Sequence, residues 1–589
     1  MLKKLLLLLA VLLLVAGTAA AEDNRTVLFV APGAGDEISA YAGGIMAAAE
    51  AGDRVLVLYL TDPADPALSA AALSALGVTE EQLLLASQAG TVQEVLAAHR
   101  PAVIYAPSAH DTNADYAAYR AIARAVSVLH RADGYQTEVR YTVLHGKVGA
   151  QWPLRTRREA GQLIINAYTD PFPGAGAPLA FEEATIFPLT EDMLARKQAA
   201  LEMYGDRINY LKADEFYWSI PAETLAQAQD ITRRCQLFTG TKALKKKEML
   251  DRNYQTSHSI KRGGIIRARS EEEALTGVFL QFFDHAAKVD VQIPAGDDWQ
   301  TVGSTNGGYL CEYVPLPEGT HEVRLVNQEK RRILIAELTL YGEGTHPPRA
   351  PQWRTLEKAD MMVLVAHPDD ELLWFGGLLP TYAGERGLDV QLVYMVPATP
   401  YRRLELLDGL WHCGVDAYPL FGGLRDAKAY DLEGQYKYWN RSQMLAKVIE
   451  LLRRAKPEVL VTHDANGEYG HGGHRACADI CMQAVTMAAD ASKYQQSAEE
   501  FGVWQVKKLY MHLWPENQQR FDWHAPLSAF GGKDGLTVAT EALAFHISQT
   551  KNGWEMTEGG EMDNALLGLQ FTTVGADVLG GDLMENVGE

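Results

Sequence analysis

Cysteine is scarce in this chain. Five residues in 589 (Cys235, Cys311, Cys413, Cys477, Cys481) are too few and too scattered for a disulfide framework. Positive charge is also short, with 54 Lys and Arg against 75 Asp and Glu and a formal net charge of −21. Such an acidic surface repels phosphate backbones and anionic headgroups, which argues against nucleic acid or a charged membrane as partner. The one basic cluster, Lys242 with Lys245, Lys246 and Lys247, reads as a solvated face or linker. No apolar run after Gly17 approaches the length needed to span a bilayer. Cys477 and Cys481 fall one helical turn apart and read as small core residues rather than ligands.

What is present begins with a leader. Met1-Leu2-Lys3-Lys4 precedes an unbroken apolar stretch from Leu5 to Gly17, then Thr18-Ala19-Ala20-Ala21. A basic start, a short apolar region and a small-residue cleavage site make residues 1–21 a signal peptide cut after Ala21. The mature protein is therefore expected to be secreted.

Two later stretches carry chemistry. The apolar run Met361-Met362-Val363-Leu364-Val365 reads as a buried parallel strand and ends in Ala366-His367-Pro368-Asp369-Asp370-Glu371. Leu372 to Leu379 is apolar enough for a packed helix. Open α/β sheets place their sites at such strand ends. His367 and Asp370 can fold back onto one ion, which leaves the Asp369 carboxylate off the metal. A second run, Val459-Leu460-Val461, leads into Thr462-His463-Asp464-Ala465-Asn466-Gly467-Glu468-Tyr469-Gly470-His471-Gly472-Gly473-His474 and a helix expected from Arg475 to about Ala489. His471 and His474, three apart at a helix start, share a face, and either could complete a site of two histidines and one carboxylate. Zinc with three protein ligands suits that set.

An AHPDDE turn after a strand, followed by YGHxxH before a helix, resembles the PIG-L (LmbE-like) family of zinc-dependent N-acetyl-sugar deacetylases, from about Ala359 onward. The resemblance implies a Rossmann-like α/β fold with His367, Asp370 and His474 as Zn2+ ligands. It makes Asp369 the general base, His471 the residue that steadies the oxyanion, and Tyr469 a helper at the same carbonyl. It also matches Arg402 and Glu405 to a family R-x-x-E, with Arg402 reaching the sugar, and Asp426 to a family aspartate that binds a hydroxyl. The nearby carboxylates are expected to favour a charged His471. Trp514, Trp523 and Phe530 are either subsite walls or core.

The motif has an echo. Val27 to Glu37 and Gly43-Gly44 repeat the pattern of Val363 to Gly377, but Gly33 stands for His367 and Gly35 for Asp369, while Asn113 and Tyr116 replace the two histidines. Only Asp36 survives, so residues 24–230 are expected to form a degenerate α/β copy without zinc. A rearranged site using His110 or His145 is the less favoured reading. Between the copies, 235–344 shows short strands with turn residues: Val278–Phe283, Val289–Ile293, Glu322–Val326 and Ile333–Gly342. This predicts a β-sandwich. Its ends, Met249 to Thr256 and Ile335 to Gly342, resemble discoidin-like (coagulation factor 5/8 type C) modules, with Arg252 where the family has glycine. Such modules often bind carbohydrate, so Trp299, Tyr309 and Tyr313 are candidate stacking platforms, or else the module is a spacer. A Pro-rich linker, 345–352, leads into the second α/β domain, 353–589.

The expected protein is thus α/β, with two Rossmann-like PIG-L domains flanking a discoidin-like sandwich. The expected activity is removal of an acetyl group from an N-acetylated amino sugar, within a glycan. The alternatives are a non-catalytic glycan-binding protein, or a zinc amidase acting on another amide.

Overall fold

A computed structural model describes residues 25–588, apart from 109–112, 143–155, 160–161, 166–184, 206–213, 240–241, 244–247 and positions 229, 252, 272, 346, 348, 349, 398, 551, 552 and 557. The expected leader, His110 and His145 lie outside the described residues, as do the side chains of Asn113 and Tyr116. The chain divides into two compact units, Met1–Gln229 with Glu343–Pro347 and Asp230–Gly342 with Pro348–Glu589.

The first unit is built on seven strands: β1 (Thr26–Ala31), β2 (Arg54–Tyr59), β3 (Leu83–Leu85), β4 (Val103–Pro107), β5 (Glu138–Thr142), β6 (Thr185–Pro188) and β7 (Asp214–Pro221). They lie in the order β3-β2-β1-β4-β5-β7-β6. The first five pair in parallel, and β7 runs antiparallel to β5 and β6. The second unit has a sheet of the same design: β8 (Met361–Val365), β9 (Val390–Tyr394), β10 (Leu420–Phe421), β11 (Val459–Thr462), β12 (Lys508–His512), β13 (Gln518–Arg520) and β14 (Leu566–Thr572). Their order, β10-β9-β8-β11-β12-β14-β13, repeats the first sheet strand for strand. The echo in the sequence is therefore a repeat of topology. Every residue of β8, β9, β11 and β12 is buried, as parallel strands covered on both faces require. The order reverses between β8 and β11, so the two motif-bearing strand ends meet at the switch point.

Helix α1 (Asp36–Glu50) follows β1. Its counterpart after β8 is one turn, α2 (Asp370–Leu373), not the helix expected through Leu379. The reason is close packing at two glycines. A Cβ on Gly376 would stand 2.6 Å from the Leu372 carbonyl oxygen, and one on Gly377 would stand 2.5 Å from Trp523 Cε3. Two further helices carry the site, α3 (Pro400–His412) and α4 (Gly472–Met487). Cys477 and Cys481 are buried in the core under α4, and all five cysteines are free.

Residues between the two α/β sheets form two antiparallel sheets, one of six strands and one of four. The four expected strands are present as Leu275–Phe282, Val289–Ala295, Glu322–Asn327 and Ile333–Tyr341. This sandwich is fastened to α3. The Tyr254 hydroxyl donates to Asp408, Gln281 Nε2 lies 3.5 Å from Asp408 Oδ1, and Arg403 Nη2 donates to the Asp284 carbonyl at 3.0 Å. Tyr309 packs its ring 4.7 Å from that of Tyr418, whose hydroxyl accepts from Leu310 N. Tyr313 covers Gly277, and Trp299 lies under Arg324 at 4.6 Å. Tyr309 and Tyr313 are thus packing residues, not open platforms. The start of the Pro-rich stretch is folded with the first unit, where Thr345 N donates to Ala226 O and Ala228 N to Thr345 O. Among the described residues no helix is long and apolar enough to cross a membrane.

Candidate metal centre

The turn after β8 is closed by its own carboxylates. His367 N donates to Asp370 Oδ2 at 2.7 Å and Asp369 N to Glu371 Oε2 at 2.8 Å. Asp369 is thereby held at φ 123°, a region L residues avoid at a cost of about 1–3 kcal/mol. Its Oδ2 lies 3.1 Å from Arg402 Nη2, which also donates to the Pro368 carbonyl. Glu371 is braced by His546 at 3.0 Å. Burial and the Asp370 charge push the Asp369 carboxyl up to about 8, against the opposing pull of Arg402 and His546.

The loop after β11 is organised by Glu468. Its Oε2 accepts from His463 Nδ1 at 2.8 Å and His474 Nδ1 at 2.7 Å, and its Oε1 from His512 Nδ1 at 2.7 Å. Burial alone would raise this carboxyl, but its histidine partners hold it well below the usual range. His471 caps α4, its Nδ1 accepting from Gly473 N at 3.1 Å.

Among the described residues two sets of three donors each have their ligand atoms within 4.8 Å of one another: His367, His471 and His474, and Asp370, His463 and His474. Hydrogen bonding decides which of them can hold an ion. Ala366 N–H donates to His463 Nε2 at 3.1 Å, so that lone pair is taken. Burial lowers the His463 pKa and Glu468 raises it, with the balance upward, yet the amide aimed at Nε2 requires a lone pair there. His471 accepts through Nδ1, and burial with the neighbouring His474 and His367 rings pushes its pKa down to about 3. It is neutral with the proton on Nε2, a donor and not a ligand. The charged His471 expected from the sequence is thus corrected: burial outweighs the carboxylates.

The expected ligands His367, Asp370 and His474 are divided between the two sets, with His474 common to both. His474 Nε2 is buried and faces Asp370 Oδ1 at 3.3 Å, while Glu468 holds the far side of the ring, and these two carboxylates outweigh burial and push the His474 pKa up to about 10. A carboxylate behind a ligating imidazole is the usual support of a metal-bound histidine. His367 Nδ1 lies 3.3 Å from Asp370 Oδ2. The two histidines thus approach Asp370 at different oxygens, His474 at Oδ1 and His367 at Oδ2. The residues fit a metal.

Residues 362–485 match the model of the PIG-L family, described as GlcNAc-PI de-N-acetylase. The second α/β domain is a PIG-L domain. The chain is 29% identical over 214 residues to a 1D-myo-inositol 2-acetamido-2-deoxy-alpha-D-glucopyranoside deacetylase of Catenulispora acidiphila, across 31% of this chain and 64% of that protein. It therefore spans less than two thirds of that relative. Among solved structures, N,N'-diacetylchitobiose deacetylase from Pyrococcus horikoshii is 16% identical, with 32% of this chain and 71% of that one covered and a TM-score of 0.25. An F5/8 type C domain from Bacteroides fragilis is 13% identical, with 20% and 97% covered and a TM-score of 0.16.

The PIG-L domain brings together all eight residues singled out in the sequence. Arg402 stands against Asp369, and Asp426 Oδ1 lies 3.8 Å from His367 Nε2. Tyr469 sits at φ 44°, its ring 5.4 Å from that of His474. Glu405 is turned away, accepting from Ser548 N at 3.0 Å. Trp523 is buried against Gly377, which makes it core. Sequence reasoning passed over His463, Glu468, His512, His546 and Trp374, whose Nε1 donates to Asp370 Oδ1 at 3.2 Å. Glu468, set between the two histidine positions, offered a signal. His512, at the end of β12, had only its place after an apolar strand.

The first α/β domain keeps the turn and Asp36, with glycines where His367 and Asp369 stand in the second. Gly33 N donates to Asp36 Oδ2 at 2.9 Å and Gly35 N to Glu37 Oε2 at 2.7 Å, as in the PIG-L domain. Gly35, at φ 93°, adopts without strain the conformation that Asp369 holds under strain.

Proposed function

We propose that the PIG-L domain is a zinc-dependent hydrolase that removes the acetyl group from an N-acetylated amino sugar within a glycan. The observation that carries this is the buried cluster in which His474 Nε2 and His367 Nδ1 both face Asp370, with Glu468 fixing the His474 ring from behind. Zinc held by His367, Asp370 and His474 would supply a Lewis acid that polarises an amide carbonyl and acidifies water. The protein's own groups do the rest. Asp369, off the ligand set and fixed by Arg402, is placed to take a proton from water and return it to the departing amine. Neutral His471 offers its Nε2–H to the carbonyl oxygen as negative charge develops there. Burial and the charges of Asp370 and Asp369 hold the Tyr469 phenol protonated, which makes it a second donor. The first α/β domain, with glycines at the His367 and Asp369 positions, is a non-catalytic copy. The basic-then-apolar start of the chain supports export as part of this reading.

The test is metal analysis of the purified protein together with acetate release from N-acetylglucosamine, N-acetylgalactosamine and their oligomers. About one zinc per chain and acetate formation are expected. Asp369→Asn should keep the zinc and lose about 10²-fold or more in kcat. Activity within a few-fold of wild type, with zinc bound, would remove Asp369 from the role of base.

A further inference from the structure

Two partly exposed aromatic rings, Tyr469 and Trp554, stand beside this site, and a third, Tyr430, lies on the loop that meets the start of α4. Tyr469 is 44% exposed, Trp554 40% and Tyr430 70%. The Tyr469 and Trp554 rings are 5.4 Å apart and inclined by 42°. Tyr469 reaches inward, 5.6 Å from His471 and 5.4 Å from His474. Tyr430, close enough for its charge to act on Tyr469, belongs to a loop held by the start of α4. Gly472 N donates to Ala429 O at 2.7 Å, and a Cβ on Gly472 would lie 2.8 Å from the carbonyl oxygens of both Ala429 and Asp431. Any larger residue at 472 would push that loop, and Tyr430 with it, off the rim. The same loop carries Asp426, 62% exposed on its side chain and 3.8 Å from His367. The rim thus alternates apolar ring faces with hydroxyls and a carboxylate.

We propose that Trp554 and Tyr430, flanking Tyr469, form a stacking subsite for the sugar residue joined to the one that loses its acetyl group. The proposal rests on the deacetylase reading of the metal centre and deepens it by naming the residues that would hold the glycan beside the reacting sugar. A pyranose ring offers both chemistries the rim displays, C–H faces for the aromatic rings and hydroxyls for Asp426 and the phenols. A lipid tail would strip water from Asp426 and give nothing in return. The chemistry needs none of these rings except Tyr469. Exposed aromatic groups gathered at one cleft mark a surface that is covered in use.

Binding is measured by calorimetry on the zinc-loaded Asp369→Asn protein, which separates recognition from turnover. N-acetylglucosamine and its β-1,4-linked tetramer are the probes. The tetramer should bind at least about tenfold more tightly than the monomer. Trp554→Ala and Tyr430→Ala should each shrink that ratio toward about two, and Trp554→Phe, which keeps a ring, should restore most of it. A ratio near one in the parent, or an undiminished ratio in Trp554→Ala, would overturn the subsite. A chain-length preference lost in Trp554→Ala, in a protein whose wild type releases no acetate, would uphold the subsite and sink the deacetylase reading. Acetate release without a length preference would do the reverse.

Discussion

Replacing Glu468 by glutamine tests whether the site is built as described. The carboxylate receives His463 and His474 on Oε2 and His512 on Oε1, with Asp464 N also on Oε1 at 3.2 Å. A glutamine must turn one NH2 toward these donors. Facing the Oε2 side it would confront two imidazole N–H groups. Facing the Oε1 side it meets His512, which can accept through Nδ1 while its Nε2 keeps the Asp563 carbonyl at 3.2 Å. The second orientation sacrifices only the 3.2 Å bond from Asp464 N and so wins, and His474 keeps its tautomer but loses the negative charge behind it. Losing such support costs about 10–100-fold in metal affinity, or roughly 1.4–2.7 kcal/mol. Glu468→Ala is harsher. Four buried N–H groups would be stranded at about 1–3 kcal/mol each, comparable with the whole stability of a domain. The assay is competition for zinc against a chromophoric chelator, with thermal unfolding of the apo-protein alongside. Glu468→Gln should fold and bind zinc at least about tenfold more weakly. Affinity within twofold of wild type would refute the claim that Glu468 prepares His474 as a ligand.

Burial raises Glu37 from an ordinary 4.5 to about 7, against the Tyr204 hydrogen bond. A carboxyl raised on folding contributes stability that is fully present below about 4.5 and lost as pH rises through about 7, by up to roughly 3 kcal/mol. Glu37→Gln should therefore flatten the fall in stability between pH 5 and 7.5, and an unchanged slope in urea unfolding would rule Glu37 out as its source. Asp408→Ala removes the acceptor of the Tyr254 hydroxyl at the junction of sandwich and α3, and should cost about 1–3 kcal/mol by denaturant titration. No loss would mean the junction is not cemented there. Gly377→Ala forces a methyl to 2.5 Å from Trp523 Cε3 and should lower the melting temperature by the equivalent of about 1–3 kcal/mol. An unchanged melting curve would show that Trp523 moves freely.

Much of this architecture was legible in the chain. Apolar runs such as Met361–Val365 and Val459–Val461 became buried parallel strands, because a strand covered on both faces favours apolar side chains and takes a polar one, such as Thr462, only where it finds a partner. The paired motifs marked the site, since residues at neighbouring strand ends converge wherever the strand order reverses. The repeat was visible because both copies keep the same core strands.

Other features were settled only by the folded chain. Four histidines and several carboxylates sit near one point, and composition cannot say which imidazole nitrogens are free. That depended on Ala366 N at His463, Gly473 N at His471, and Glu468 behind His474. Trp523 and Trp554 look alike in sequence, yet one is buried on Gly377 and the other stands at the rim. Tyr309 read as an open platform until Tyr418, 109 positions along the chain, was found beneath it. Periodicity reports the backbone and the buried face, which are local. Tautomers, lone pairs and exposure are set by whichever distant segment arrives next to them, and only tertiary contacts decide that.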